Sequence, residues 1–535
     1  MSISLSASKG PWSRRFANPT AWLVVLLVAL GCYRLSLIGS GHFFYGDEWA
    51  YNCAMPLIDH LSAGEYFFGV FELFRPSARP GFVLVSVVPV VLQRVVGSLL
   101  SLTPDTLHYY DAAAAYNVGI SLCVTVCLYG IGRSWLRSPW YALLFAGAHA
   151  LLANSNVWVR HMVPYHESLL MGLIALWLLS RQEGSRKRVI VRTFAAGLLS
   201  TLAYATYPGF YPFVILNGVV MLAVVPKRIA GAASYAIASA SVIGGFEVLA
   251  RSVGTSYIQD MLHSQERMGL WANASWNAGA SQEGYVFIWR YIRDVEGVFG
   301  IVLLGLFACG VGLLLWRRSI ELPRAARIGI AAAVGCYLLH ASAAVLFQKV
   351  VFYGRFLALY LPFVVCGAVL TLKHIPTPPI RRVGVCAFVL VSLGSFVLFA
   401  RQYAALVYPS DFFVHVMANE GLDMPDPRTI RGQTGEFAMI ADGRPAGWPP
   451  HLVSHEVART CQARFIAVNF KQLDSPEHYQ PFVPPVGYRL LARQLHPNAF
   501  PGPGYEAFPP RVRRQYLERQ PTMRIYERSA ASPTG

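Results

Sequence analysis

Apolar runs of about 20 residues, separated by short polar segments, recur along the chain from residue 20 to residue 404. That length of α-helix crosses roughly 30 Å of hydrocarbon at about 1.5 Å per residue. The pattern predicts eleven spans, over residues 21–39, 111–132, 139–157, 168–181, 190–206, 210–226, 229–250, 297–316, 327–347, 355–373 and 382–404. The stretch from Gly81 to Leu102 is apolar enough to cross but contains Pro89, Gln93 and Arg94, and it is expected to lie along the interface. The first run, Ala21 to Gly39, is longer than a signal-peptide core and no A-x-A site follows it. It is expected to be an uncleaved span with a cytoplasmic N-terminus and with Arg34 snorkelling outward near its far end. The fold class is thus an α-helical polytopic membrane protein with about 11 transmembrane helices plus interfacial helices.

After residue 404 the pattern stops: the last 131 residues hold 17 of the 34 prolines and no run long enough to cross. Two domains follow, a transmembrane domain over 1–404 and a small extracytoplasmic (periplasmic) α/β domain over 405–535. Within the second, Phe465 to Phe470 and Met523 to Tyr526 read as strands, and Asp411 to Asn419 and Tyr488 to Leu495 as helices.

Composition agrees with the run pattern. With 55% apolar and 14% charged residues and a mean hydropathy of +0.42, soluble, disordered and collagen-like classes are excluded. A net charge of +17 would suggest nucleic acid in a soluble chain, but here the basic residues sit between the apolar runs, where they orient the chain and meet lipid headgroups. Counted with 81–102 left in the interface, the cytoplasmic segments carry 19 Lys or Arg and the opposite loops 10. Were 81–102 to cross, the basic segments RQEGSRKR and WRRSIELPRAAR would face outward against the positive-inside rule. The C-terminal domain is therefore expected outside, and the partners are membrane lipid and not nucleic acid. Seven of the nine cysteines fall in apolar runs; Cys53 and Cys461 lie in polar segments, and an oxidising compartment allows one disulfide between them. No Cys/His spacing signals zinc.

Candidate chemistry clusters on the outward side. The first loop carries Asp47 and Glu48 a few residues past the first span. Sequence neighbours point apart, so Asp47 is expected to turn into a cavity while Glu48 meets a different partner or a metal; a solvated loop end or helix N-terminus is the plainer alternative. Arg75-Pro76 and Arg79-Pro80-Gly81 open the interfacial segment. A guanidinium fork suits phosphate oxygens at this depth, and equally suits an ordinary headgroup anchor. The second outward loop packs Arg160, His161, Tyr165, His166 and Glu167 into eight residues. Its histidines are five apart, not the four of a helical zinc pair. Lys349 and Arg355 bracket VVFYG at the same face.

In order, YGDEWAY, ARPGF, YDAAAAYNVGISLCVTVCLYGIGR, GLLSTLAYATYPGFYPF and FYGRFLALYLPFVV resemble the membrane glycosyltransferases of the GT-C superfamily, in the branch with protein O-mannosyltransferases and the bacterial lipid A aminoarabinose transferase. The resemblance covers roughly residues 20 to 404, and its strength lies in the collinear order. Pro-Gly stands where the family often has Pro-Pro, Glu167 follows a His where an Asp would be expected, and Phe356 replaces the usual Tyr.

The resemblance implies transfer of a sugar from a polyprenyl-phosphate donor to a glycan, lipid or protein acceptor outside the cytoplasmic (inner) membrane, with inversion. It casts Asp47 as general base and Arg79, Arg75, Arg355 and Lys349 as donor-phosphate ligands. Glu48, Glu167, His166, Tyr165 and Arg160 become contacts to sugar, acceptor or metal; a divalent cation would sit on Glu48 and Glu167, and no other cofactor is implied. Two rival readings share the span count. A lipid or solute transporter or flippase would use His149, Glu247, His340 and a helix interrupted by Pro362, but these make no evident relay. A scaffold acting through 405–535 would need far fewer spans.

Overall fold

The computed structural model of the chain describes residues 18–39, 51, 53–75, 79–102, 107–181, 185–226, 228–273, 283–316, 322–350, 354–406, 412, 416, 437–441, 451–453, 464–469, 483–495 and 522–529. The helices are α1 (Pro19–Leu35), α2 (Ala54–Ser62), α3 (Tyr66–Leu73), α4 (Pro80–Leu99), α5 (Asp111–Leu136), α6 (Pro139–Ala150), α7 (Ala153–Val157) and α8 (Tyr165–Ser180). They continue with α9 (Arg186–Thr206), α10 (Pro212–Val224), α11 (Arg228–Ser252), α12 (Tyr257–Asn273), α13 (Gly284–Trp316), α14 (Arg324–Val345), α15 (Leu361–Lys373) and α16 (Pro378–Ala404). Among the described residues seven helices are long and apolar enough to cross a membrane, and four shorter apolar ones accompany them. The chain is a polytopic helical membrane protein.

One cluster of buried side chains is shared by α5, α6, α8, α10, α13, α14 and α15, and a separate one joins α2, α3, α4 and the start of α5. Lipid tails are as apolar as leucine, so helices in this setting associate through close packing, and small residues mark the contacts. A Cβ added to Gly197 of α9 would sit 2.5 Å from the Tyr235 carbonyl oxygen on α11. Two predicted spans divide differently from the hydropathy reading. The run 139–157 breaks after Ala150, and α7 begins as a separate short helix at Ala153. The helix that contains the predicted span 297–316 begins earlier, at Gly284, and Gly297, at φ +57 and ψ −132, breaks it near its middle. Pro362 lies in the first turn of α15 and so opens a helix instead of interrupting one.

By composition α4 belongs with the spanning helices, at 20 residues and mean hydropathy 2.0. Its buried positions, Phe82, Val83, Ser86, Pro89, Val90, Gln93 and Gly97, follow helical spacing, and Val88, Val95 and Leu99 on the other face are exposed. The start of the helix abuts Ala205 and Thr206 at the end of α9, while a Cβ on Gly97 near its other end would touch the Tyr109 ring just before α5. Gly39, just past α1, lies beside Asp111 at the start of α5. Gln93 accepts from the Tyr51 hydroxyl at 2.8 Å, and Arg94 pairs with Asp59 of α2 at 2.8 Å.

Beyond α16 the described residues include one antiparallel sheet in the order β2-β1-β3-β5-β4, with β1 Phe437–Ala441, β2 His451–Val453, β3 Phe465–Asn469, β4 Tyr488–Leu495 and β5 Thr522–Arg528. The strand expectations at 465 and 523 fall on β3 and β5. The helix expected over Tyr488 to Leu495 is instead a strand, paired with β5 from Tyr488↔Arg528 to Leu495↔Thr522. The Leu, Ala, Arg and Gln of this segment favour helix locally, and pairing with a buried strand overrides that preference. The helix expected over 411–419 lies almost wholly outside the described residues.

Glu527 on β5 accepts from Arg489 at 2.7 Å and faces Arg464 at 3.5 Å. Its hydrogen bond from Arg489 holds the carboxyl below its usual range. A depressed carboxyl stabilises the folded sheet above the unfolded-state pKa, and that contribution disappears as pH falls through the folded value. Protection of β5 amides, followed by hydrogen exchange corrected for intrinsic rate, is expected to hold from neutral pH to about pH 5 and to drop as the pH falls below about 4. In Glu527→Gln the drop should be smaller.

Candidate functional site

The tightest grouping of predicted site residues forms where α4 begins, α9 ends and the 3-10 turn Gly354–Leu359 begins. Pro208 disfavours helical conformation at the residue before it, so α9 stops at Thr206 and Tyr207 is extended at φ −141 and ψ 105. Its ring turns into the protein and is buried. The Arg79 guanidinium lies 4.9 Å above the Tyr207 ring. From the other direction Arg355 donates from Nε to the Tyr207 hydroxyl at 3.1 Å. Arg355 also sits 5.8 Å from the Tyr165 ring, and the Tyr165 and Tyr207 rings meet edge-on at 5.0 Å. Trp158 packs on Tyr165 at 5.2 Å. Two arginines thus share one tyrosine, with an aromatic wall behind them.

Gly81 makes this approach possible. A Cβ there would lie 2.5 Å from both the Ala205 carbonyl carbon and the Thr206 nitrogen, and backbone cannot yield as a side-chain tip can. Arg79, which caps α4, reaches Tyr207 only because the helix start presses against the end of α9. Gly81→Ala is expected to destabilise the protein by about 1 to 3 kcal/mol, as overpacking does. It should also push Arg79 away from Tyr207, and disulfide trapping between cysteines at 79 and 207 would report that displacement as slower cross-linking.

Arg355 is placed by a chain of contacts from the far side. The break at Gly297 leaves the adjacent Glu296 carboxylate over the start of α7, where it accepts from the Ala153 nitrogen at 3.1 Å and the Asn154 nitrogen at 3.4 Å. Asn154 then donates to the Gly354 carbonyl at 3.1 Å and to the Tyr291 hydroxyl at 2.6 Å. The residue before Arg355 is thereby fixed to α7 and α13.

Other predicted residues sit elsewhere. Arg75 pairs with the buried Glu72 one turn back, at 3.3 Å. Lys349 is exposed beside Gly269 of α12. Arg160 is buried and turned toward the end of α16, 4.3 Å over the Tyr403 ring and 3.2 Å from its hydroxyl. Glu167 lies in the first turn of α8, 8% exposed, with no donor to its Oε2 among the described residues. A helix N-terminus favours a carboxylate there. His166 faces a small cavity beside Arg34. Asp47 and Glu48 lie outside the described residues, as does Cys461; Cys53 is buried. Among the described residues no group of three or more His, Cys, Asp or Glu side chains is gathered as a metal site.

Arg34 does not snorkel. It is 1% exposed and donates to Asn156 Oδ1 at 2.9 Å, Ser121 Oγ at 2.9 Å and the Ala150 carbonyl at 3.1 Å. Snorkelling needs a free path to water, and α1 packs that side chain against α5, α6 and α7. Tyr207, Trp158, Asn154 and Glu296 are the site features that reading the sequence did not single out. The Tyr-Pro-Gly break at 207–209 inside an apolar segment was a usable signal for the first; Asn154 and Glu296 depend on a contact between residues 142 positions apart, and Trp158 on its packing against Tyr165.

No protein-family profile, curated protein or solved structure matches this chain.

Proposed function

We propose that the protein is a GT-C-type glycosyltransferase that moves a sugar from a polyprenyl-phosphate donor to an acceptor on the outer side of the cytoplasmic membrane, with inversion. The observation that carries this reading is the meeting of Arg79 and Arg355 on Tyr207. Two guanidiniums at the ends of membrane helices, with aromatic rings behind them, are suited to a lipid phosphate.

In the reaction an acceptor hydroxyl attacks the anomeric carbon, the bond from that carbon to the phosphate oxygen breaks, and the polyprenyl phosphate departs with the electron pair. Arg79 and Arg355 stabilise the charge growing on the phosphate. Asp47 takes the acceptor proton. Phosphate is already a good leaving group, so no second general acid is needed, unlike hydrolysis of an ordinary glycoside. Tyr165, whose ring Arg355 faces, and its sequence neighbours His166 and Glu167 are assigned to the sugar and acceptor. Glu167 with Glu48 would hold a divalent cation, which would add positive charge beside the departing phosphate.

The contacts of α4 support an outward site. Its ends meet the end of α9 and the residues before α5, and Tyr165 and Gly39 tie those two places to one end of the bundle. That arrangement supports reading α4, a helix about 30 Å long, as lying along the membrane, with the basic segments at 181–192 and 317–327 on the cytoplasmic side.

The transporter reading draws less support from the polar groups it would need. Glu247 accepts from Arg251, Ser256 and the Ile258 nitrogen and so caps α12. His340 is bonded to Tyr211 at 2.8 Å and stacked on Phe356. Purified protein incubated with radiolabelled polyprenyl-phosphate sugars and membrane extract is expected to move label into a glycan, lipid or protein. Uptake or flipping in proteoliposomes with no such transfer would favour the transporter.

A further inference from the structure

His340 lies near the end of α14 and is 3% exposed. An ionisable side chain inside an apolar helix is costly to keep, and its partners show what it is kept for. The His340 ring stacks on that of Phe356, with centroids 4.1 Å apart and an interplanar angle of 23°. Its Nδ1 shares a hydrogen bond of 2.8 Å with the Tyr211 hydroxyl. Phe356 directly follows Arg355 in the 3-10 turn Gly354–Leu359. Tyr211 closes the turn that begins at Tyr207: the Phe210 nitrogen donates to the Tyr207 carbonyl at 2.8 Å, and the Tyr211 nitrogen to the Pro208 carbonyl at 3.1 Å. That turn is tight enough to need glycine at 209, where a Cβ would lie 2.6 Å from the Tyr207 ring. One histidine on a third element therefore holds both turns whose residues make the bond from Arg355 to Tyr207.

Binding groups work when packing and hydrogen bonds around them hold them within about 0.5 Å of the productive geometry. Asn154 fixes Gly354 from the side of α7. When a phosphate competes for the Arg355 guanidinium, the bond to Tyr207 can loosen, and the spacing of the two turns then depends on what else ties them together. We propose that His340 is a positioning residue: by stacking on Phe356 and bonding to Tyr211, it sets the spacing between the turns that carry Arg355 and Tyr207, and with it the affinity of this site for a lipid phosphate. The proposal rests on the reading of Arg79 and Arg355 as phosphate ligands. His340 acts through Arg355 and takes no part in the chemistry.

The test measures the dissociation constant of a polyprenyl monophosphate on purified full-length protein, with the unfolding midpoint followed alongside. His340→Phe keeps an aromatic ring against Phe356 and deletes the bond to Tyr211; Tyr211→Phe deletes the same bond from its other end. Each is expected to weaken binding about three- to tenfold, the effect of one hydrogen bond, and the two together no more than either alone. In an Arg355→Gln background His340→Phe is expected to change nothing, because the spacing of the turns matters only while Arg355 is present. A side chain that merely supports the fold would weaken binding in both backgrounds. Native affinity in His340→Phe, additive losses from His340→Phe and Tyr211→Phe, or an equal loss in the Arg355→Gln background would overturn the proposal. If His340→Phe does not fold, Tyr211→Phe, which removes a single oxygen, decides by the same comparison. Undiminished binding by Arg355→Gln alone would instead remove the phosphate reading itself, and this proposal with it.

Discussion

Asp47→Asn is expected to lower the single-turnover rate of sugar transfer by about 10² to 10⁴, the usual effect of removing a positioned base. Asparagine keeps the size and polarity of the side chain but cannot accept the hydroxyl proton, so the attacking oxygen must lose it to water. The donor's phosphate leaves readily by itself, which makes proton removal the step where protein chemistry matters most. Expression, membrane insertion and donor affinity should be unchanged, because the phosphate is held elsewhere. The check is a rate measured with saturating radiolabelled donor; near-normal transfer would take Asp47 out of the mechanism. Glu48→Gln serves as a control, since adjacent side chains point apart and its loss should act on affinity instead.

Removing the arginines produces the other large effect. Arg79→Ala and Arg355→Ala are each expected to raise the donor KM and slow transfer, with kcat/KM falling about 10- to 100-fold, because hydrogen bonds to a charged phosphate contribute about 1.5 to 3 kcal/mol. Lysine at either position should recover only part, since it keeps the charge and loses the planar fork. Their effects should not add. Both guanidiniums rest on Tyr207, so removing one frees the ring and lets the other shift. Tyr207→Phe, which keeps the ring and deletes the hydroxyl accepting from Arg355, should cost less than either arginine.

Hydropathy made most of the membrane domain legible. Six of the eleven predicted spans fall on helices long and apolar enough to cross and the others on shorter helices, because a segment that must satisfy its own backbone in lipid has few alternatives. Where the reading failed, a long-range contact decided the outcome. The run 139–157 reads as one span, but α7 is a separate helix whose first two nitrogens are held by Glu296, 143 and 142 residues away. Arg34 looked like an end-of-span cation because its acceptors, Ser121, Ala150 and Asn156, lie in other segments. Tyr488 to Leu495 has helical composition and becomes a strand through its register with β5. At the site the sequence supplied Arg79, Tyr165 and Arg355 as separate candidates on three loops. Tyr207, which joins them, was hidden in a Gly-rich apolar stretch. Arg75 and Arg160 carry the same chemistry, and only the positions of Glu72 and Tyr403 separate them from the pair.

Affinity for a polyprenyl monophosphate tests the central claim most directly. It would be measured on purified full-length protein for the native sequence, for Asp47→Asn, and for Arg79→Gln combined with Arg355→Gln. The two-arginine pocket predicts that Asp47→Asn binds as the native protein does, while the double variant, still folded and inserted, binds at least about a hundredfold more weakly. Undiminished binding by the double variant would contradict it, because the phosphate would then be held somewhere other than between α4, α9 and the turn at Gly354.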